Sequence, residues 1–538
     1  MKFFGINFHK GEFVERFQDA IVRWSVEKIK DGWIVRGSAK GRLEGIEVAR
    51  FKAPEVTLSG GWQSWSVVDA KPPKKKSSKS QWHAKDSPVF FDDPVGDYYI
   101  AGEGFIAGFL SSRIGHPYFK LEDDEIVAYI HYFGAEFDDY IPIEPFVYLE
   151  GKDTSHLLEF YSSLVAQENE AAVRKRLIKG WSSWYQYFLD LSWEDVLKNL
   201  KAAKEWDFDV FQIDDGYESD IGDWLKVKEG FPSIDVIATT IEDAGFTPGI
   251  WVAPFIASES SKVFNEHPNW FVKENGKPMV IFKNWGENIY AFDLTKERAL
   301  IHIENIFSSL KKMGFKFFKI DFVYAGGVPG EREKNVTPIQ AYRRGLEVIR
   351  NAVKDATILG CGAPILPSVG FVDAMRIGPD TAPNWEGHKD LCARCAIKNA
   401  VTRYYFNEKL WLNDPDCLLL RKKKSNLKEG QIKLYGYTSA LLSNVLLVSD
   451  DLELLNEEDR EFFKFLQKLK PFKTSVENIL STDDNYTILA SGTDYGNVKL
   501  NIDLNTGRYQ IEMEGENMLK KRQVRREDGR IFNFYEEG

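Results

Sequence analysis

From residue 1 to about 172, apolar and polar residues alternate over short runs separated by Gly, Pro and Asp turns. Runs at 32–37, 98–102, 105–110 and 125–132 carry the two-residue period of half-buried strands, and an antiparallel β-sandwich is predicted. Two stretches break the pattern. Trp62-Gln-Ser-Trp65 follows Gly60-Gly61, so an aromatic loop can reach away from the sandwich. Lys71-Pro-Pro-Lys-Lys-Lys-Ser-Ser-Lys79 has no apolar period and reads as a solvated loop.

From about 173 the period changes. Buried strand-like runs at 178–185, 210–215, 247–254, 316–322, 358–362, 374–378, 409–413 and 442–448 are interleaved with helical segments. Those helices include one opened by a capping pattern at Ser192 and running through Trp206. Others cover 234–245, a segment ending at Met313, and 338–353. Eight strands alternating with helices predict a (β/α)8 TIM barrel. No Gly-x-Gly-x-x-Gly follows the first strand, which weighs against a dinucleotide fold. Alternating runs at 485–490, 497–501 and 507–512 predict a small C-terminal β domain. The expected fold is therefore multidomain: an N-terminal β-sandwich at 1–172, a barrel at 173–455, and a small β domain at 456–538.

Polar residues interrupt these apolar runs where they end, and barrels place active sites at the C-terminal ends of their strands. Lys319 and Asp321 share a strand face by their i, i+2 spacing, in surroundings too apolar to leave them unpaired. Arg376 and Asp380 share one side if the sixth run stays extended. The remaining ends supply Trp181, Trp184 and Tyr185, then Asp214 and Asp215, Trp251, Cys361, and Asp414 with Asp416. A single Asp ending a strand is commonly the cap of the next helix. Six ends bearing acids, cations or aromatics weigh against that explanation for the whole set. Paired carboxylates, Lys, Arg and indoles suit a sugar, whose hydroxyls need donors and acceptors and whose apolar face stacks on tryptophan. Hydrolysing a glycosidic bond uses one carboxylate as nucleophile and a second, protonated one as acid. Lys319 beside Asp321 should favour the ionised form and suit a nucleophile. Asp380 needs a less cationic setting to stay protonated, and Arg376 opposes that unless it pairs elsewhere, for instance with a substrate hydroxyl.

Composition narrows the classes. Apolar residues make up 43% and aromatics 14% of the 538 residues, and the net charge of −11 argues against a nucleic-acid partner. No apolar run reaches the ~20 residues that span a bilayer, and the N-terminus lacks the apolar core of a signal peptide. A cytoplasmic protein with no membrane partner is expected, and the charged fraction of 28% points weakly to a thermophile. Four cysteines are too few for a disulfide scaffold. Cys392-Ala-Arg-Cys395 has zinc-like spacing, yet no second pair follows and the flanks look helical, so buried thiols are expected. His388 reads as a surface-loop residue. No metal and no cofactor are expected.

Five motifs in order complete the picture: Gln212-Ile-Asp-Asp-Gly-Tyr217, Gly249-Ile-Trp-Val-Ala-Pro-Phe255, Phe318-Lys-Ile-Asp-Phe322, Arg376-Ile-Gly-Pro-Asp380 and Trp411-Leu-Asn-Asp-Pro-Asp416. Together they resemble the α-galactosidases of glycoside hydrolase family 36, most closely the compact enzymes of thermophilic bacteria. The likeness covers nearly the whole chain, including Trp62-Gln-Ser-Trp65 and the closing Tyr-Glu-Glu-Gly. The resemblance implies a retaining, two-step hydrolysis of terminal α-linked galactose from small oligosaccharides such as raffinose or melibiose. By match of motif, Asp321 is the nucleophile and Asp380 the acid and base. Asp214 and Asp215 would hold the 4-OH and 6-OH, Lys319 and Arg376 the ring hydroxyls. Tyr185, Trp251 and Cys361 would line the pocket. Trp65 would complete it from the sandwich, and the short chain favours an intrachain contact. Self-association is left open.

Three rivals follow from the same residues. A galactosyltransferase of the raffinose-synthase type resembles the same barrel and keeps both carboxylates. A Schiff-base aldolase would use Lys319 as its amine, which a charged Lys319 beside Asp321 disfavours. A sugar-binding protein without activity would have no need of two acids.

Overall fold

The computed structural model describes residues 2–3, 6–7, 11–16, 19–74, 87–92, 94–387, 390–514, 519–525 and 531–537. The second half of the lysine-rich run (75–79) and His388 lie outside them.

Among the described residues the N-terminal region is one antiparallel sheet of 13 strands. Its frame is a pair of long strands, Gly32–Lys52 and Glu125–Pro142, where the sequence pattern suggested two short ones. They pair along their length with register shifts at Ala128/Tyr129, His131/Ala135 and Phe137/Ile141. Such bulges bend a strand and sharpen its twist, so one chain segment can serve a strongly curved sheet. They also explain the mismatch: the one-residue slip at Ala128/Tyr129 inverts the in/out alternation that marks a strand in sequence, and the other two each insert two extra residues that interrupt it. The helix Thr154–Glu168, capped by the Asp153 carboxylate on the Ser155 amide at 3.0 Å, leads into the barrel.

The barrel strands are β1 (Ile178–Ser182), β2 (Val210–Ile213), β3 (Thr247–Val252), β4 (Phe317–Ile320), β5 (Thr357–Gly360), β6 (Ala374–Arg376), β7 (Leu412–Asp414) and β8 (Val445–Val448). All neighbours from β8 through β1 to β7 pair in parallel. Between β7 and β8 the ring is drawn together by the Asn444 amide donating to the Asn413 carbonyl at 3.1 Å. These strands are short and almost wholly buried, as expected where helices cover a parallel barrel. The Ser192–Asp195 capping box opens the helix after β1, and a Thr337–Gln340 box with Pro338 at the first position opens the helix after β4.

Three boundaries depart furthest from the sequence reading, one of them in the eighth strand, which begins at Val445 because Leu442 ends the helix Glu429–Leu442. The first strand stops at Ser182, and Trp184–Tyr187 form a helical turn whose bulky residues mimic strand composition. The seventh strand begins only at Leu412; Lys409 and Leu410 belong to the preceding turn, where both amides bond the Phe406 carbonyl. Near the C-terminus, Lys473–Glu477, Asn485–Thr493, Gly496–Asp503 and Arg508–Met513 form a four-stranded antiparallel sheet. No described helix is long and apolar enough to cross a membrane.

Candidate active site

The site is assembled at the C-terminal ends of the barrel strands. On β4, Lys319 points inward and its ammonium meets the Asp214 carboxylate at 2.9 Å, both buried. Asp214 Oδ2 also accepts from Gln212 at 2.6 Å and from Ser182 at 3.2 Å. Burial opposes the Lys319 charge, yet the Asp214 and Asp321 carboxylates outweigh it and hold its pKa well above the usual value.

Asp321 lies one residue past β4 and is only 7% exposed. Its Oδ2 accepts the Trp251 indole N–H at 3.0 Å and its Oδ1 accepts the Phe322 amide at 2.7 Å. The direct partner of Lys319 is thus Asp214, and the expectation that Lys319 leaves Asp321 readily ionised needs correcting. Burial raises the Asp321 pKa, with Lys319 and Trp251 opposing. Desolvation of a single buried charge exceeds what a neighbouring cation already bound elsewhere returns.

Arg376 closes β6 with a side chain only 1% exposed. One guanidinium nitrogen lies 2.7 Å from Asp380 and 2.6 Å from Asp416. Arg376 was read as opposing a protonated Asp380 unless it paired elsewhere; it does pair with Asp416, but it keeps Asp380 as well. Asp416 is crowded with donors: the Tyr185 hydroxyl, the Thr381 amide at 2.7 Å and the Cys417 amide at 2.8 Å. Burial pushes its carboxyl up to about 6 against the pull of Arg376. For Arg376 the surrounding anions, Asp416 foremost, outweigh burial and hold its charge. At neutral pH the pair is ionic. Asp380 is the open member of the cluster, its side chain 37% exposed.

Trp65 enters from the N-terminal sheet of the same chain. The backbone of 62–64 pairs with 363–365 beyond β5: the Ser64 amide donates to the Ala363 carbonyl at 2.9 Å, and the Ile365 amide to the Trp62 carbonyl at 3.0 Å. Arg403 secures the loop by donating to the Ser64 carbonyl at 2.6 Å. The Trp65 indole N–H then reaches the Cys361 sulfur at 3.3 Å, and its ring meets Phe322 edge-on at 5.0 Å. Gly362 permits this approach: it has φ +52°, and a Cβ there would lie 3.1 Å from the Trp65 ring. Burial pushes the Cys361 thiol up, so it is a neutral wall group.

Of the residues expected at the site, Asp214, Asp215, Trp251, Lys319, Asp321, Cys361, Arg376, Asp380, Tyr185 and Trp65 do converge. Trp181 does not. Alternation sends it to the face opposite Ser182, where it stacks on Phe211 at 4.3 Å and donates to the Asp450 carbonyl at 2.8 Å.

Two residues went unread in the sequence. Trp285 tops the hairpin formed by Val280–Asn284 and Glu287–Ala291 and donates to Asp215 Oδ2 at 3.0 Å. Its turn has φ of +52° at Trp285 and +79° at Gly286, the two positive values of a tight hairpin turn, and Gly286 was the available signal. Glu218 is buried beside Asp215 and accepts the Gly216 and Tyr217 amides at 3.2 and 3.1 Å. Two buried carboxyls in hydrogen-bonding contact cannot both ionise cheaply. Burial and then Glu218 push Asp215 up to about 10, so the pair holds one proton between them.

Among the described residues no cluster of His, Cys, Asp and Glu could hold a metal ion. What the arrangement offers is two carboxylates, one buried and one open, on a single rim, flanked by cations with fixed partners and walled by indole and phenyl rings. That set can attack and protonate a bond to a polyhydroxylated ring.

Residues 25–150 match the family model of the α-galactosidase N-terminal region, and 151–351 that of melibiase. Among curated proteins, α-galactosidase AgaA of Geobacillus stearothermophilus is 25% identical over 176 residues, covering 30% of this chain and 23% of its own. α-Galactosidase Mel36A of Lactobacillus acidophilus is 27% identical over 160 residues, or 28% of this chain and 20% of its own. The chain thus spans less than a quarter of the length of these relatives. Among solved structures, an α-galactosidase of Thermus thermophilus in complex with p-nitrophenyl α-D-galactopyranoside superposes with a TM-score of 0.72 at 22% identity. That match covers 93% of this chain and all of the other, and shows a common fold.

Proposed function

The chain belongs to the α-galactosidases of glycoside hydrolase family 36, and from that premise we propose that it hydrolyses terminal, non-reducing α-linked galactose from oligosaccharides such as raffinose or melibiose, with retention of configuration. The observation that carries this reading is the pairing of Asp321 and Asp380. They are delivered by separate strands to the same rim, one sealed among hydrogen-bond donors and the other open.

Asp321 attacks the anomeric carbon and forms a galactosyl ester. Its two donors, Trp251 and the Phe322 amide, fix the direction of its oxygens. Asp380 gives its proton to the departing oxygen, and its exposure lets water reach it for the second step, when it takes a proton back. Arg376 orients Asp380 before substrate arrives, and Asp416 and Tyr185 orient Arg376. In this reading Tyr185 acts through Asp416. Asp214 and Asp215 present acceptors to the 4-OH and 6-OH, while Lys319, tied to Asp214, donates to a ring hydroxyl. Trp65 and Cys361 bound the sugar on the side of β5.

Two measurements on one reaction test the proposal. Incubation with raffinose should release free galactose, and proton NMR should find the α-anomer formed first. A first-formed β-anomer would contradict the retaining route. Oligosaccharides as the dominant product would reassign the chain to galactosyl transfer, the alternative the two carboxylates also allow.

A further inference from the structure

Cys392 and Cys395 stand apart from the sugar site. The helix Ala393–Thr402 begins directly after Cys392, which is its extended N-cap residue at φ −167° and ψ 156°. Cys395 is the third helical residue. N-cap and third residue are the positions whose side chains meet across the first turn in a capping box. Here they set two sulfurs side by side across that turn. Cys392 is 3% exposed and Cys395 partly exposed, and neither is in a disulfide. The first helical amides are engaged by the loop that leaves Asp380: Ala393 N donates to the Asn384 carbonyl at 3.1 Å and Arg394 N to the Trp385 carbonyl at 3.3 Å.

The other two cysteines differ. Cys361 and Cys417 lie singly at the barrel mouth, buried, and burial pushes both thiols well up. Cys392 moves the other way. The Cys395 thiol beside it, helped by the amides of Cys395 and Gly387, pulls it down to about 7 against burial, while Cys395 retains the proton. A thiolate with a protonated thiol one helical turn away is the arrangement of an attacking and a resolving cysteine.

We infer that Cys392 and Cys395 are a peroxide-oxidisable dithiol that closes into a reversible disulfide at the start of this helix. The Cys392 thiolate attacks one oxygen of hydrogen peroxide and breaks the O–O bond, giving a sulfenic acid and hydroxide. The Cys395 sulfur then displaces the sulfenic hydroxyl, its proton leaving with that group as water. The sum is one peroxide reduced to water and hydroxide as a thiolate and a thiol are oxidised to a disulfide. Peroxide is small enough to reach a sulfur that is nearly covered. The new bond spans the turn that receives the loop from Asp380.

The test uses the whole protein and does not depend on its glycosidase activity. After exposure of the native protein to hydrogen peroxide, denaturation and thiol titration should find two of four thiols lost. Peptide mapping should place a loss of two hydrogens in the peptide holding 392 and 395, and dithiothreitol should restore it. Oxidation should run about tenfold faster at pH 8 than at pH 6, as the thiolate fraction for a pKa of about 7 requires. Cys395→Ser should leave a sulfenic acid on residue 392 that dimedone traps; Cys392→Ser should abolish the rapid phase. Retention of all four thiols, faster oxidation of Cys361 or Cys417, or loss of thiols without the cross-link would each overturn the inference.

Discussion

Arg376 and Asp416 meet at 2.6 Å with side chains 1% and 3% exposed, and the same guanidinium nitrogen also holds Asp380. A buried cation shared between a hidden carboxylate and an open one fixes the open one at little entropic cost, because the first contact has already immobilised the guanidinium. Asp416 also accepts the amide of Thr381, the residue after Asp380, so it grips the same loop through its backbone. Asp380 is therefore positioned from two directions by a residue that need not touch substrate.

Asp416→Ala should break this arrangement. It leaves Arg376 with one half-exposed partner and strips acceptors from Tyr185, Thr381 and Cys417. Removing one member of a buried ion pair costs about 3–5 kcal/mol. Denaturant unfolding should show a loss of that size, and the folded remainder should lose more activity on poor leaving groups than on good ones. An unchanged midpoint would mean the grip is not what holds the loop.

Asp321→Gly should remove the nucleophile and lower turnover of an activated galactoside by on the order of 10⁴-fold or more. The space left beside Trp251 and the Phe322 amide can admit a small anion. Added azide should restore reaction, with β-galactosyl azide as product by NMR. An α-azide would place the attack on the other face and remove Asp321 from the role.

How much of this was legible in the chain follows from where each residue gets its partner. Lys319 and Asp321, Asp214 and Asp215, and Arg376 with Asp380 stand at strand ends, and the two-residue alternation that marks a buried strand also aims its last polar residues. That alternation is local, so sequence reaches it. Which carboxylate Lys319 would choose was not local. Asp214 and Asp321 both lie within reach, and only the closure of β2 against β4 across the barrel selects Asp214. The same limit hid Trp285 behind a hairpin turn of an excursion. It also let Trp184–Tyr187 pass for strand, since a single helical turn has too few residues to show its period. The two long N-terminal strands read as short ones for the opposite reason, their bulges resetting a pattern that does continue.

Asp380→Ala should separate substrates by leaving group. Protonation matters in proportion to the basicity of the departing oxygen, so raffinose should lose roughly 10²–10⁴-fold in kcat/KM, and an activated aryl galactoside far less in its first step. Because Asp380 also takes the proton from water, the galactosyl-enzyme should then accumulate and azide should speed its breakdown. Equal losses on both substrates would count against the acid role.

The acid side of the pH profile offers the most direct check on Asp321. The attacking group must be ionised, and burial raises its pKa above the ordinary 3.8 of an aspartate. The acid limb of kcat/KM, which reports the free enzyme, should accordingly lie above that value. Its position is set by opposing neighbours with known signs. The Trp251 N–H stabilises the carboxylate, so Trp251→Phe, which keeps a ring but loses the donor, should move the limb to higher pH. Asp380 still carries its proton, as the acid of the first step, when Asp321 ionises, so Asp380→Asn, assayed on an activated aryl galactoside, should leave the acid limb in place. One limb moves and the other holds, from substitutions on different strands, a pattern that general loosening of the pocket would not produce. If Asp380→Asn moved the limb and Trp251→Phe did not, the group titrating there would not be Asp321.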